Sequence, residues 1–219
     1  MNKILNNIER ENYKETINEI HNLCPETILK KIPEANVQQA FVLKTVKDLT
    51  DKSGTILSIG AYDDTASESI KKLGYNIVEI DPDNELFSHP NRSIDIINID
   101  LHNYRLNNET KKFNTIIATS VIEHVENDEE FIDDICNLLE LNGIAMLTCD
   151  FNNKYTKGAN KPSVDYRLYT EYDLIDRFKK ILIKNNCEIY GEINYSSEPD
   201  FIYCGCLYSF ATYVFKKTK

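Results

Sequence analysis

Residues 55–83 read TILSIGAYDDTASESIKKLGYNIVEIDPD, and this stretch decides the fold. Ile56, Leu57 and Ile59 make a short apolar run that predicts a buried strand, and Gly60 ends it in a turn. Thr65 and Glu68 have the spacing of a capping box. Ala66, Ile70 and Leu73 give the helix that follows one apolar stripe, with Glu68 and Lys72 spaced to pair on its other face. Gly74 reads as a left-handed C-cap, and a second strand through Val78 and Ile80 ends on Asp81. Strand, helix and strand in this order form the first half of a nucleotide-binding βαβ unit. A glycine just past the first strand lets a ligand approach the backbone without meeting a Cβ. A carboxylate at the tip of the second strand accepts hydrogen bonds from two vicinal ribose hydroxyls. The pair points to an adenosine-type ligand, and it equally suits an ordinary βαβ turn with an acidic residue capping a strand.

Towards the N-terminus, Ile4, Ile8, Tyr13, Ile17 and Ile20 have a loose helical spacing that predicts a surface or lid helix over residues 3–22. A short apolar set, Ile28, Leu29 and Ile32, is broken by Pro33. Val37, Ala40, Phe41, Val46 and Leu49 then predict a helix that stops near Ser53-Gly54. Beyond Asp81, the turn-rich runs Asp81-Pro82-Asp83-Asn84 and His89-Pro90-Asn91 lead to an expected third strand through Ile94, Ile96, Ile97 and Ile99, ending at Asp100. A fourth strand runs from Phe113 to Ile122 and is followed by Glu123-His124. The next helix carries Phe131, Ile132, Ile135, Leu138 and Leu139 and ends at Asn142-Gly143. A fifth strand, Ile144 to Thr148, opens into a long polar segment from Phe151 to Tyr169 without periodicity, a length usually reserved for function or disorder. A helix over 171–186 and strands over Cys187–Ile193 and Tyr203–Lys216 complete the chain. The alternation predicts an α/β doubly wound sheet with an antiparallel edge.

At 219 residues the chain supports one domain: a helical cap over 1–53, a ligand-binding half over 54–150, and a substrate-side segment with a terminal hairpin over 151–219. Its 42% hydrophobic and 27% charged residues are ordinary for a soluble protein. No apolar run approaches the ~20 residues of a membrane span, and the N-terminus lacks the apolar core of a signal peptide, so a cytoplasmic location is expected. The six cysteines are scattered and contain no C-x-x-C, which predicts reduced, mostly buried thiols. A net charge of −10 disfavours bulk nucleic acid as a partner.

Taken together, the motifs resemble the class I S-adenosylmethionine-dependent methyltransferases over roughly residues 35–216. The carriers are Leu57-Ser-Ile-Gly60, Val78-Glu-Ile-Asp81, Asn98-Ile-Asp100-Leu101, Thr115 to Val125, Leu138-Leu-Glu-Leu-Asn-Gly143, and Arg167-Leu-Tyr-Thr170 with Asp173-Leu174. The resemblance implies a Rossmann-like, seven-stranded sheet, mostly parallel, with helices on both faces. It implies S-adenosylmethionine as cofactor, with Gly60 beside its methionine moiety, Asp81 at the ribose hydroxyls, Asp100 and the Leu101 backbone at the adenine, Ser120 lining the pocket, and Ala61, Tyr62 and Pro82 as further cofactor-binding residues. Tyr62 and Asp64 stand where the family usually has further glycines, which makes this loop bulkier and more acidic.

Methyl transfer from a sulfonium is an in-line displacement, so a protein base is needed only where the acceptor must lose a proton. His124, just past the fourth strand, is either that base or a structural part of its turn. Ubiquinone-type O-methyltransferases carry a metal-binding Glu-x-x-Glu-His here; this chain has Ser120 in place of the first carboxylate, and no metal is expected. Tyr155, Asp165, Tyr166 and Arg167 are candidates for an acceptor wall, in a chain whose 13 tyrosines also serve packing. The expected acceptor is a small hydroxylated metabolite of sugar or phenol type, and the oligomeric state is left open. Two rivals are a nicotinamide oxidoreductase, which lacks its glycine fingerprint and Tyr-x-x-x-Lys pair here, and a catalytically silent binding or scaffold protein.

Overall fold

The computed structural model describes residues 1–82 and 95–219. Among these residues nine strands join in one sheet: β1 (Asn2–Leu5), β2 (Thr55–Ile59), β3 (Asn76–Ile80), β4 (Phe113–Thr119), β5 (Leu139–Phe151), β6 (Cys187–Ile189), β7 (Ile193–Asn194), β8 (Phe201–Tyr203) and β9 (Cys206–Lys217). The helices are α1 (Asn7–Asn12), α2 (Lys14–Leu23), α3 (Pro25–Ile28), α4 (Asn36–Leu49), α5 (Thr65–Lys72), α6 (Leu101–Asn107), α7 (Asp128–Leu138) and, after a wide π turn at Asp173–Arg177, α8 (Lys179–Lys184). Strands β3, β2, β4 and β5 are parallel neighbours in that order, and β9 runs antiparallel to β5 from Ile144↔Lys216 to Phe151↔Ser209. The other edge of β9 is covered by β6, β1 and β8, with β7 beyond β1.

Consecutive residues of each buried strand face opposite sides, so the apolar runs feed two cores. Leu57, Ile116, Ala145 and Tyr213 pack with α6, α7 and α8 on one face. Ile56, Ile117, Met146 and Val214 pack with α2, α4 and α5 on the other. This explains why the strands read as continuous hydrophobic stretches. Two expectations for the stretch after β2 hold: Gly74 has φ +83, and Glu68 pairs with Lys72 at 2.7 Å.

Four local expectations are corrected. Residues 2–5, expected to begin a helix, form β1, which buries Ile4 and Leu5 against β9. Buried Asn2 is satisfied there: it donates through Nδ2 to the Tyr190 carbonyl at 2.8 Å and accepts the Val214 N–H at 2.7 Å. Among the described residues the expected third strand is one parallel bridge, Ile80↔Ile97; the turns over 83–91 and Ile94 lie outside the described residues. Strand β5 begins at Leu139 rather than after Gly143, with a register irregularity and Asn142 at φ +66 absorbing the extra residues. The expected strand from Tyr203 is a hairpin, because Cys204 (φ +50) and Gly205 (φ +76) turn the chain between β8 and β9.

Candidate active site

The carboxyl ends of β2, β3 and β4 meet at Gly60. Its φ is +68, and a Cβ there would sit 2.5 Å from Val121 Cγ2, so only glycine fits without moving that wall. The bulky loop that follows is folded inward. Asp63 takes the left-handed conformation (φ +52) and pairs with Lys30 at 3.2 Å. Asp64 is the N-cap of α5: Oδ1 accepts the Ala66 N–H at 2.9 Å, and Oδ2 accepts the Thr119 hydroxyl at 3.2 Å. The expected Thr65–Glu68 capping box is not formed: Asp64 is the N-cap, Thr65 is the first helical position, and Glu68 instead accepts the Thr27 hydroxyl and pairs with Lys72. The acidic residue that replaces a glycine is spent on holding α5 to the end of β4.

Asp81 is buried at the tip of β3, where its Oδ2 accepts the Tyr62 N–H at 2.9 Å and braces the loop across the crevice. Ala61 is fully buried and donates its N–H to the Ile80 carbonyl at 3.2 Å. Asp100 caps α6, with Oδ1 accepting the Asn103 N–H and Oδ2 the Asn103 side-chain amide. Its carboxylate is therefore committed to the helix start. Ser120, at φ +56, donates its hydroxyl to Glu123 Oε1 at 2.7 Å.

Two cavities meet at Gly60. One, of about 180 Å³, is mainly apolar, walled by Ile59, Pro82, Leu101, Val121, Val125 and Phe131, with Asp100 and His102 at its polar rim. The other, of about 290 Å³, is polar and includes Gln38, Gln39, Tyr62, Asp64, Ser120 and His124, with Lys30 and Lys31 at its entrance segment. Gln38 and Gln39 are buried, and among the described residues their Oε1 atoms have no hydrogen-bond partner. Buried, unsatisfied carbonyl oxygens beside an apolar slot fit a ligand with a flat ring at one end and a polar, amine-bearing chain at the other. S-adenosylmethionine has that shape.

Behind Ser120 lies a group of buried acids, which sequence reasoning missed. Glu123 is fully buried and is pushed up to about 7, chiefly by desolvation, with the charge of His124 opposing. Asp150, at the end of β5, is raised well above the carboxylate range by burial and by the neighbouring Glu123 and Asp165. His124 faces the polar cavity. Burial pulls its pKa down, but hydrogen bonding to Asp165 and the charges of Glu123 and Asp165 outweigh this and hold it at about 9. Among the described residues no group of three or more His, Cys, Asp or Glu is arranged to hold a metal ion.

The four expected acceptor-wall residues divide. Tyr155, Tyr166 and Arg167 line a separate cavity of about 300 Å³ with Tyr172 and Asp173, which shares no residue with the two at Gly60. Asp165 instead turns inward, its carboxylate 3.2 Å from His124 Nδ1. The segment that carries them is tied at both ends by the Asn152 N–H to the Tyr169 carbonyl and the Tyr169 N–H to the Asp150 carbonyl, each 2.9 Å. Buried Tyr169 anchors it further, donating to Asp128 and the Ile122 carbonyl. All six cysteines are free thiols, Cys204 alone being exposed. Among the described residues no helix is long and apolar enough to cross a membrane.

Comparison with known proteins agrees with this geometry. Residues 31–186 match the family described as methyltransferase domain. No curated protein matches the chain in sequence. Solved structures match in fold: an S-adenosylmethionine-dependent methyltransferase from Clostridium acetobutylicum ATCC 824 has a TM-score of 0.57 at 12% identity, over 94% of this chain and 99% of that one. One from Archaeoglobus fulgidus scores 0.57 at 11% identity, over 82% and 94%. The [4+2]-cyclase SpnF scores 0.60 at 13% identity, over 84% and 82%, so the fold alone does not choose the reaction. The family match spans more than half of the chain, and the chain belongs to the S-adenosylmethionine-dependent methyltransferases of the Rossmann-like class.

Proposed function

We propose that this methyltransferase acts on a small hydroxylated metabolite, transferring the methyl group to oxygen, with His124 as the base. The observation that carries the reading is His124 itself: it lines the polar cavity beside Gly60 and Ser120, and its neighbours hold its pKa at about 9. A hydroxyl must lose its proton as the new bond forms, and an acid–base pair transfers that proton best when the two pKa values lie close. A phenol, near 10, is matched to such an imidazole; an alkyl hydroxyl is matched less well. Phenol-type acceptors are accordingly preferred over sugars.

In this reading Asp81 holds the ribose hydroxyls, and the apolar slot between Leu101, Val121 and Phe131 takes the adenine. Gln38 and Gln39 meet the polar end of the cofactor with their unsatisfied carbonyl oxygens. When bound, S-adenosylmethionine supplies an electrophilic methyl carbon on a sulfonium. The chain's own work is alignment of the acceptor oxygen beside Gly60 and Ser120 and removal of the acceptor proton by neutral His124. Tyr155, Tyr166 and Arg167 face the separate cavity and take no part in this acceptor site.

The silent-protein alternative drew its support from the altered glycine loop. Because Asp64 points into the fold as a helix cap, the loop leaves the crevice open, which favours the enzyme. The test is methyl transfer to a panel of phenols, sugars, amines and carboxylates, read as S-adenosylhomocysteine formed. Turnover confined to hydroxyl acceptors and lost in His124→Gln supports the proposal; turnover on amines that survives His124→Gln overturns it.

A further inference from the structure

The turn that carries Asp165 docks against the His124 turn through several contacts. The Tyr166 N–H donates to the Glu123 carbonyl at 2.8 Å; the turn itself is closed by the Asp165 N–H on the Pro162 carbonyl at 3.1 Å and by the Lys161 ammonium on the Asp165 carbonyl oxygen. This leaves His124 Nδ1 between two acceptors, the Val164 carbonyl at 3.3 Å and Asp165 Oδ1 at 3.2 Å. The Asp165 side chain is 1% exposed while that of His124 is 42% exposed, so the imidazole is gripped from behind and presented to the cavity. Among the described residues both Asp165 oxygens are buried and carry no other hydrogen-bond donor, which leaves the imidazole as the partner of this carboxyl group.

We propose that Asp165 is the positioning residue of this active site: its buried carboxyl group accepts the Nδ1–H of His124 and so fixes Nε2 as the nitrogen that faces the acceptor. The inference rests on the reading of His124 as the base and deepens it. It assigns Asp165 to the base assembly rather than to the acceptor wall. The acid–imidazole arrangement does two things for proton removal. It selects one tautomer, and it stabilises the imidazolium that forms when the acceptor proton arrives on Nε2. No atom of Asp165 touches the acceptor. Glu123 on its own turn also acts on His124, and Asp64, Lys30 and Lys31 line the same cavity. The Asp63 carboxylate pairs with Lys30.

The test titrates the His124 imidazole by NMR in the cofactor-free protein, with the signal assigned by its loss in His124→Gln. The wild type is expected to titrate near 9 with Nδ1 protonated in the neutral form. In folded Asp165→Asn the titration is expected to fall by at least one pH unit and the tautomer preference to relax, and Asp165→Glu restores part of both. Asp165→Ser, which buries no amide, serves in parallel should the asparagine fail to fold. The same substitutions move the pH profile of methyl transfer by the same amount. An imidazole that titrates alike in the wild type, Asp165→Asn and Asp165→Ser overturns the assignment. A coupled pair in a protein whose turnover survives His124→Gln leaves the pairing standing and removes only the base role on which it was built.

Discussion

Replacing Gly60 with alanine tests the crevice at its narrowest point. The residue sits at φ +68, where an L-residue costs about 1–2 kcal/mol, and the new Cβ lies 2.5 Å from Val121 Cγ2. Relieving that approach needs an off-rotamer valine or a small backbone shift, about 0.5–1.5 kcal/mol more. The expected loss of stability is about 2–3 kcal/mol, which for a chain of this size lowers the melting temperature by roughly 4–12 °C. Urea unfolding gives the free energy directly, and repeating it in a Val121→Ala background separates the two causes. There the collision is gone and only the backbone cost of about 1–2 kcal/mol should remain. A Gly60→Ala protein within about 0.5 kcal/mol of wild type would refute the reasoning about the backbone. Equal losses in both backgrounds would refute the part assigned to Val121.

Three further outcomes are expected. Because His124 acts as a base only when neutral and its pKa is raised to about 9, methyl transfer should increase with pH up to about 9 and level off above it, and His124→Gln should lower kcat by about 10²–10⁴ with cofactor affinity unchanged; a profile flat from pH 6 to 9 contradicts this. Asp64→Ala removes both the α5 cap and the acceptor of the Thr119 hydroxyl, and should cost about 1–3 kcal/mol in chemical unfolding, whereas a neutral effect would mean the loop is held by other contacts. Arg177 grips buried Asp128 with two hydrogen bonds, at 2.9 and 2.7 Å, and Asp173 with a third, so Arg177→Leu should destabilise by about 3–5 kcal/mol. Burial pushes the Asp128 carboxyl up, but Arg177, Arg167 and Tyr169 more than offset this and hold it below the ordinary range. Its contribution is therefore present above about pH 4 and lost as pH falls through the depressed value, so wild type and variant should converge only in acid.

The parallel heart of the sheet was legible because its strands obey local rules. Ile56-Leu57 and Ile116-Ile117 are apolar on both faces, and Gly60 and Gly74 punctuate the unit between β2 and β3. What escaped the sequence depends on distant partners. Strand β1 has only Ile4 and Leu5 to mark it, and it exists because Ala211 and Phe210 offer it an edge at the other end of the chain. The hairpin between β8 and β9 turns on Cys204-Gly205, where cysteine takes the left-handed conformation usually signalled by asparagine or aspartate. At the site, Gly60, Ser120 and His124 announced themselves by position at strand ends, and the structure brings them to one cavity. Asp64 looked like an acidic intrusion into the ligand crevice, and its helix-capping role emerges only with Ala66 and Thr119 in place. Asp165 gave no signal as a partner of His124, since it lies in an aperiodic segment 41 residues away in the chain; their meeting is a product of the fold.

The most direct measurement of the account is calorimetric titration of S-adenosylhomocysteine into the wild type and Asp81→Ala. The wild type should bind one equivalent per chain. The variant, which loses a charged acceptor for the ribose and the brace on the Tyr62 N–H, should bind about 100-fold more weakly, as the loss of one or two hydrogen bonds to a charged group implies. No heat from the wild type would contradict the assignment of this crevice to an S-adenosyl ligand, and equal affinity in both proteins would contradict the place given to Asp81.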